Sequence, residues 1–331
     1  MKIIKYKYLT LLLLTLFAFN SCDTDITLIG DPVKELSNDC IKRSLAIFPN
    51  IVGNDLEFTY AMAIPPALGK LSSVQVTATI AGAQGTFLNP NSYYTNNAGI
   101  DVPVLVAAES TTSGGTTSTT FTKDTCAATL RYFYIIPEEA RGKEVSFTFS
   151  VKASNGQTAE YKMGPYAISK MDMTLKKVLT SKNNCYISFR GAEAITIYSE
   201  AEIAANSSLA SQIDLVYTYH TNEDLNHCFY AADAPQNIRP GLTFPSGFSN
   251  NTRVIKMNLR DRQLTDLATS NIIDDLDFQV LSFDRGSSSV IRILAEGGLW
   301  IETADKQYRA YIYMNTVAAN TATISVKRYK M

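Results

Sequence analysis

Histidine is nearly missing from this chain: His220 and His227 are the two in 331 residues, and Trp300 is the single tryptophan. Hydrolytic triads and many zinc centres draw on histidine as general base or ligand, so either chemistry has little to work with. No G-x-S-x-G turn and no C-x-x-C pair occurs. A strong excess of either charge is also lacking. Thirty basic residues stand against 31 acidic ones, and losing Lys2, Lys5 and Lys7 with residues 1–21 would leave a net charge of −4. Such a chain has no electrostatic reason to seek nucleic acid. Beyond Cys22 no apolar run approaches the ~20 residues that cross a bilayer, so that part is expected to fold in water.

The apolar run that does occur opens the chain. It extends from Leu9 to Phe19, is broken by Thr10 and Thr15, and ends at Asn20. A basic start, a short apolar core and small residues before a cut site are the parts of a secretory signal. The stretch "FNSC" resembles the lipobox of Bacteroidota lipoproteins. That resemblance implies cleavage after Ser21, a diacylglyceryl thioether on Cys22 and a further acyl chain, such as palmitate, on its amine. Each buried methylene contributes about 0.8 kcal/mol and two lipid signals already give stable anchoring, so three chains hold firmly. Asp23, Thr24 and Asp25 resemble the acidic export signal of surface lipoproteins, which implies the outer membrane and the cell surface. In enterobacterial lipoproteins an aspartate at that position implies the inner membrane instead. The other reading of the segment is an ordinary signal peptide with an incidental cysteine.

Residues 22–42 are polar and aperiodic, and are expected to be a tether. From there the pattern alternates with period two. Leu56, Phe58, Tyr60 and Met62 share one face, as do Val74, Val76 and Ala78, and Val145, Phe147, Phe149 and Val151. Alternation of this kind marks half-buried antiparallel strands, and Asn155–Gly156 is a strong hairpin signal. Residues 43–170 therefore read as an immunoglobulin-like β-sandwich, with residues 108–123, rich in Ser, Thr and Gly, as a solvated loop. In residues 171–331 two helices join the strands: one with a capping box at Ser199 and Glu202, the other from Asn258 with Leu264, Leu267 and Ala268 at helical spacing. An α+β domain, a helix-decorated β-sheet, is expected, so the whole chain reads as mainly β. The order of elements over about residues 175–240 resembles a family of uncharacterised Bacteroidota lipoproteins, which implies no reaction and no functional residues.

Four cysteines remain after Cys22. An exported chain permits disulfides, and pairing within domains gives Cys40–Cys126 and Cys185–Cys228; four buried, reduced thiols are the equal alternative. His220, Asp224, His227 and Cys228 are of the residue types that ligate zinc, but they fall on a hairpin without paired-ligand spacing, so a polar turn is the better reading and no metal or other cofactor is expected. Asp274, Asp275 and Asp277, with Glu302, supply the acids a glycosidase would need; a solvated acidic loop accounts for them more simply. The constellation that invites a function is aromatic. If the last three strands are neighbours, Trp300, Tyr311, Tyr313 and Tyr329 share one face among polar groups, and such rings suit the C–H faces of sugars. The alternative is that a helix covers that face. A non-catalytic surface component that binds a ligand such as polysaccharide within a nutrient-uptake system is the leading expectation. A fimbria-type structural or adhesive subunit contacting other envelope proteins comes second, and a hydrolase third. Metabolic labelling with an alkyne-tagged palmitate should mark the wild-type protein, and Cys22→Ala should abolish both the label and partitioning into detergent.

Overall fold

Alternating side chains decide the architecture of the first half. The computed structural model describes residues 34–44, 48–265 and 271–331. The signal segment 1–21, the lipidated Cys22, tether residues 23–33, and Leu267 and Ala268 of the expected second helix lie outside the described residues. The first eleven strands are β1 (Ser37–Lys42), β2 (Asp55–Ala63), β3 (Leu71–Ala78), β4 (Phe87–Leu88), β5 (Asn91–Thr95), β6 (Asp101–Leu105), β7 (Thr111–Ser113), β8 (Thr116–Thr120), β9 (Ala127–Ile135), β10 (Glu144–Ala153) and β11 (Thr158–Ala167). They form one sheet in the order β1-β2-β9-β4, a second in the order β11-β10-β3-β8-β7, and a separate β5–β6 ribbon. Every second residue of β2, β9 and β10 is buried. Those side chains meet between the sheets, where Phe58 lies 4.8 Å from Phe147 and Tyr132 packs edge-on against Phe149 at 5.8 Å. Each ring pair adds about 0.5–1.5 kcal/mol beyond the area it buries.

Two segments differ from expectation here. Residues 37–42 of the expected tether are strand β1, paired along β2 with Leu36, Cys40 and Lys42 buried; few apolar residues suffice for an edge strand that covers one side of a core. The Ser/Thr/Gly stretch 108–123 is no loop. It folds into the β7–β8 hairpin, with Gly114 at φ +56° in the turn and Thr117 and Thr119 buried, because threonine is a good strand former on a half-buried pleat.

The second half contributes β12 (Met171–Thr180), β13 (Asn184–Ser188), β14 (Thr196–Ser199), β15 (Leu215–Tyr219), β16 (His227–Tyr230), β17 (Arg253–Lys256), β18 (Ser289–Val290), β19 (Gly298–Glu302), β20 (Tyr308–Ala318) and β21 (Thr321–Lys330). These make two five-stranded sheets, β12-β21-β20-β19-β17 and β14-β13-β15-β16-β18, so the chain is mainly β throughout. Ile187, Phe189, Leu215 and Phe229 of one sheet meet Leu299, Ile312, Ile324 and Val326 of the other in a common core. Helix α1 (Glu200–Ala205) carries the Ser199–Glu202 capping box that the sequence announces. The second helix is elsewhere. Residues 258–265 form turns, while α2 (Asp275–Val280) starts from Asp274, whose side chain accepts from Leu276 N and Asp277 N. The acid-rich "IIDDLD" run is thus an N-terminal cap, and aspartate at that position competes well with the helix signals seen around Asn258.

No disulfide links the four cysteines; Cys40, Cys126, Cys185 and Cys228 are free thiols. Cys40 lies opposite Tyr60, which lies opposite Leu130, so Cys126 is two strands and four residues away. Strand β15 separates Cys185 on β13 from Cys228 on β16. Two strand spacings amount to about 9–10 Å, beyond the ~7 Å Cα limit for a bridge. Burial pushes the Cys40 thiol up to about 12 and that of Cys185 to about 11.

Two stretches, residues 257–265 and 271–283, here called the strap, cover the outer face of the β12-β21-β20-β19-β17 sheet. Beneath it, the buried Lys327 ammonium donates to Asp261 Oδ2 and to Ile273 O, both at 2.8 Å. Asp261 also accepts from the backbone of Gln263 (2.9 Å), Leu264 (3.2 Å) and Ile273 (2.6 Å). Burial lowers the lysine pKa and the neighbouring Asp261 charge opposes that shift. The same strap reaches the first sandwich: Gln263 Nε2 donates to Pro49 O at 2.9 Å, Asp275 accepts from Ser169 Oγ and, at 3.0 Å, from Lys170 N, and Ile51 packs in one cluster with Leu264 and Met171. Removing one partner of a buried ion pair leaves the other charge stranded, at a cost of about 3–5 kcal/mol. Lys327→Met should therefore lower the urea midpoint by that measure, and Lys327→Met with Asp261→Asn should recover part of the loss.

Candidate functional site

The four aromatics singled out in the sequence do share a sheet face, but the strap buries them. Trp300 stands opposite Tyr311, and Arg309 opposite both Glu302 and Tyr329. Trp300 is 2% exposed, Tyr311 0%, Tyr313 1% and Tyr329 4%. Phe278 of α2 meets Trp300 edge-on at 5.0 Å and stacks on Tyr329 at 5.8 Å. The polar tips hold the strap down: Tyr311 OH donates to Leu259 O (2.7 Å) and accepts from Leu259 N (2.8 Å), and Gln279 Nε2 donates to Tyr329 OH (3.1 Å). Gly298 makes the first contact feasible, because a Cβ there would stand 1.8 Å from the Tyr311 hydroxyl. The binding-face expectation for Trp300, Tyr311, Tyr313 and Tyr329 is therefore corrected: their rings are an internal core between sheet and strap.

The other chemistry-bearing residues are equally committed. His227 is buried on β16 with its Nδ1 2.7 Å from Tyr217 OH, whereas His220 approaches Tyr230 OH at 3.4 Å and Cys228 Sγ donates to Leu225 O. Among the described residues no group of three His, Cys, Asp or Glu is placed to hold a metal ion. Asp274 and Asp277 cap α2, Asp275 joins the two sandwiches, and Glu302 accepts from Arg309 at 2.7 Å. Asp214, buried behind β15, accepts from Phe189 N and the Arg190 guanidinium; burial outweighs those bonds and pushes its pKa up to about 6.

An open groove of about 460 Å³ lies instead on the outer face of the first sandwich. Register builds its floor. Ser37 stands opposite Ala63 and Ala63 opposite Ala127; Asp39 stands opposite Ala61 and Ala61 opposite Thr129. These small side chains leave a shallow, flat trough across β1, β2 and β9. Strand β5 supplies the wall, tied down where Thr129 N donates to Ser92 Oγ at 2.9 Å. The Arg131 guanidinium lies 3.9 Å from the Tyr93 ring centre, and Asn89 Nδ2 donates to Tyr93 OH at 3.1 Å. Arg131 is held in turn by Asp101 at 2.5 Å and Glu57 at 3.8 Å. Tyr93 is thereby fixed, while the neighbouring Tyr94 is 56% exposed at the groove. The Asn96–Gly99 turn between two short strand-like runs was the available signal for this ribbon; the broad period-two pattern elsewhere overshadowed it.

Acidity provides a check on the buried histidine. Burial lowers the pKa of His227 below the ordinary 6.5. The unfolded chain then binds the proton first, so this residue's contribution to stability is complete above pH 6.5 and is lost as pH falls through the folded pKa. Asp214, raised to about 6 in the fold, contributes the opposite slope over this range, so the test is a difference: the stability of the wild type relative to His227→Gln should decline from pH 7 to 5.

Residues 33–168 match the model of a domain of unknown function, DUF4466, and residues 169–331 match a second one, DUF8576. No curated protein matches the sequence. Two fimbrial proteins overlap weakly: the major pilin BcpA of Bacillus cereus (11% identity, 61% of this chain and 62% of that one, TM-score 0.28) and the Actinomyces fimbrial adhesin FimA (10%, 89% and 100%, TM-score 0.28). Likeness at that level carries no functional information. The crystal structure of a DUF4466 family protein from Parabacteroides merdae is of another order, with 58% identity over 91% of this chain and 100% of that one and a TM-score of 0.87. This chain belongs to the DUF4466 family.

Proposed function

We propose that the protein is a non-catalytic, lipid-anchored component of the outer membrane, displayed at the cell surface, whose first sandwich binds carbohydrate in the groove beside β5. The anchoring rests on the sequence around Cys22. No helix among the described residues is long and apolar enough to cross a membrane. One observation carries the binding reading: a largely exposed ring, Tyr94, stands over a trough floored by Ser37, Ala61, Ala63, Ala127 and Thr129. A pyranose presents a C–H face that stacks on such a ring, and its hydroxyls find Ser37 and Asp39 at the trough edge. The prior fixing of Tyr93 by Arg131 and Asn89 lowers the entropy lost on binding. Asp39 is the sole carboxylate among the described lining residues, whereas acid–base glycoside hydrolysis uses two across the bond; this favours recognition without cleavage.

An array of bacterial, plant and host polysaccharides tests this reading. The wild-type protein should bind a subset. Tyr94→Ala should weaken that binding by about tenfold, equivalent to about 1.4 kcal/mol, and Ala61→Trp, which fills the trough, should abolish it. Trp300→Phe should leave it unchanged. Absence of binding across the array would overturn the proposal.

A further inference from the structure

The charge pattern around the groove is more selective than its shape. Of the twelve described residues lining it, Asp39 alone carries a formal charge. Its Oδ1 accepts from Cys40 N at 2.8 Å and the neutral Tyr161 hydroxyl of β11 is its other neighbour, so the exposed carboxylate keeps its charge at the floor's edge. The nearest cluster of charges, behind Tyr93, cancels within itself: Arg43 and Arg131 are both paired with Glu57 and Asp101. Neither of those cations is among the lining residues, and the one stacked on Tyr93 is covered by that ring. Among the described lining residues, a ligand in the trough therefore meets one negative charge and no positive one.

We infer that Asp39 is a specificity-determining residue that restricts the groove to neutral or amino sugars and rejects glycans bearing carboxylates. This rests on the carbohydrate reading above and adds to it a class of ligand. A neutral hydroxyl can donate to the Asp39 carboxylate in a charge-assisted hydrogen bond. A uronate placed on the same floor brings a second negative charge to within about 5 Å, and at the dielectric of a half-open site Coulomb repulsion then weakens binding by about five- to tenfold. Such repulsion is screened by salt, which sets it apart from a steric misfit.

The test uses each neutral glycan that binds on the array and the same glycan oxidised at C6 to its uronate, titrated against the full-length protein and against Asp39→Asn, with Asp39→Ser as a second variant in case the first folds poorly. Wild-type protein should prefer the neutral form by about fivefold or more at low ionic strength, and the gap should narrow in 0.5 M salt. Asp39→Asn and Asp39→Ser should close it by admitting the uronate, with neutral binding changed less. Equal affinity of the wild type for both forms, or a gap that survives both substitutions, overturns the inference and leaves the carbohydrate reading standing. Failure of every neutral and oxidised glycan to bind overturns both.

Discussion

A lysine ammonium with no water around it is the constraint that organises the second half of this protein. Lys327 projects from the face of β21 that turns away from the sandwich core, where a charge would ordinarily meet solvent. The strap stretches 257–265 and 271–283 remove that solvent while bringing Asp261 and the Ile273 carbonyl to the same point. Once this polar node is closed, the rest of the face is fit for aromatic packing. Trp300, Tyr311 and Tyr329 lie under α2 and the turns before it, with hydroxyl tips spent on strap backbone and side chains. The pair contributes less through its own attraction than through the placement it enforces, since any other register of the strap leaves two buried charges without partners.

The consequences reach the first sandwich, because the strap is also the joint. Gln263, Leu264 and Asp275 belong to the segment positioned by Asp261 and by the α2 cap, and they contact Pro49, Ile51 and Ser169 across the boundary. On the far side, Lys42 Nζ donates to Asn50 Oδ1 at 3.1 Å, and Asn50 Nδ2 to Ala167 O at 2.8 Å, which ties β1 to the end of β11. Strand β1 is one border of the groove. A path of hydrogen bonds and packed side chains thus runs from Lys327 to β1, and the trough sits on a scaffold that is held at both ends.

How far the sequence disclosed this depends on which physical signal each part uses. Strands with one wet face announce themselves: Leu56 to Met62 and Val145 to Val151 alternate in the sequence and alternate in burial. The Ser199–Glu202 cap was equally plain, being a local reciprocal hydrogen bond. The aromatic face is legible as one face of neighbouring strands, but whether a ligand or a helix covers it is not, because periodicity reports which residues share a face and says nothing about what lies over it. The acids at 274–277 show the same limit. Their use as a cap depends on where the strap ends, which is set by tertiary contacts from Asp261 and Ser169. The groove was hidden for a different reason: its floor is made of alanine, serine and threonine, residues conspicuous only for being small, brought together by register across three strands.

Smallness on an exposed sheet face has its own logic. Large or charged outward side chains are the usual covering of a solvated β-surface, and on β2 and β9 they occur one and two outward pairs further along, at Arg131 opposite Thr59 and at Glu57 opposite Phe133. The transition to Ala61, Ala63, Ala127 and Thr129 coincides with the place where the separate β5–β6 ribbon stands Tyr93 and Tyr94 beside the sheet. A tall side chain at either alanine would fill the space that the ribbon walls off. Stability alone offers no reason for the combination, since a bare strip of sheet next to an exposed ring leaves apolar surface in water that a lysine or glutamate stem would cover. Under the proposed function, a flat ligand in the trough would supply the missing contact. It also explains why the ring left uncovered is Tyr94, while its neighbour is clamped from behind by a guanidinium that is itself neutralised.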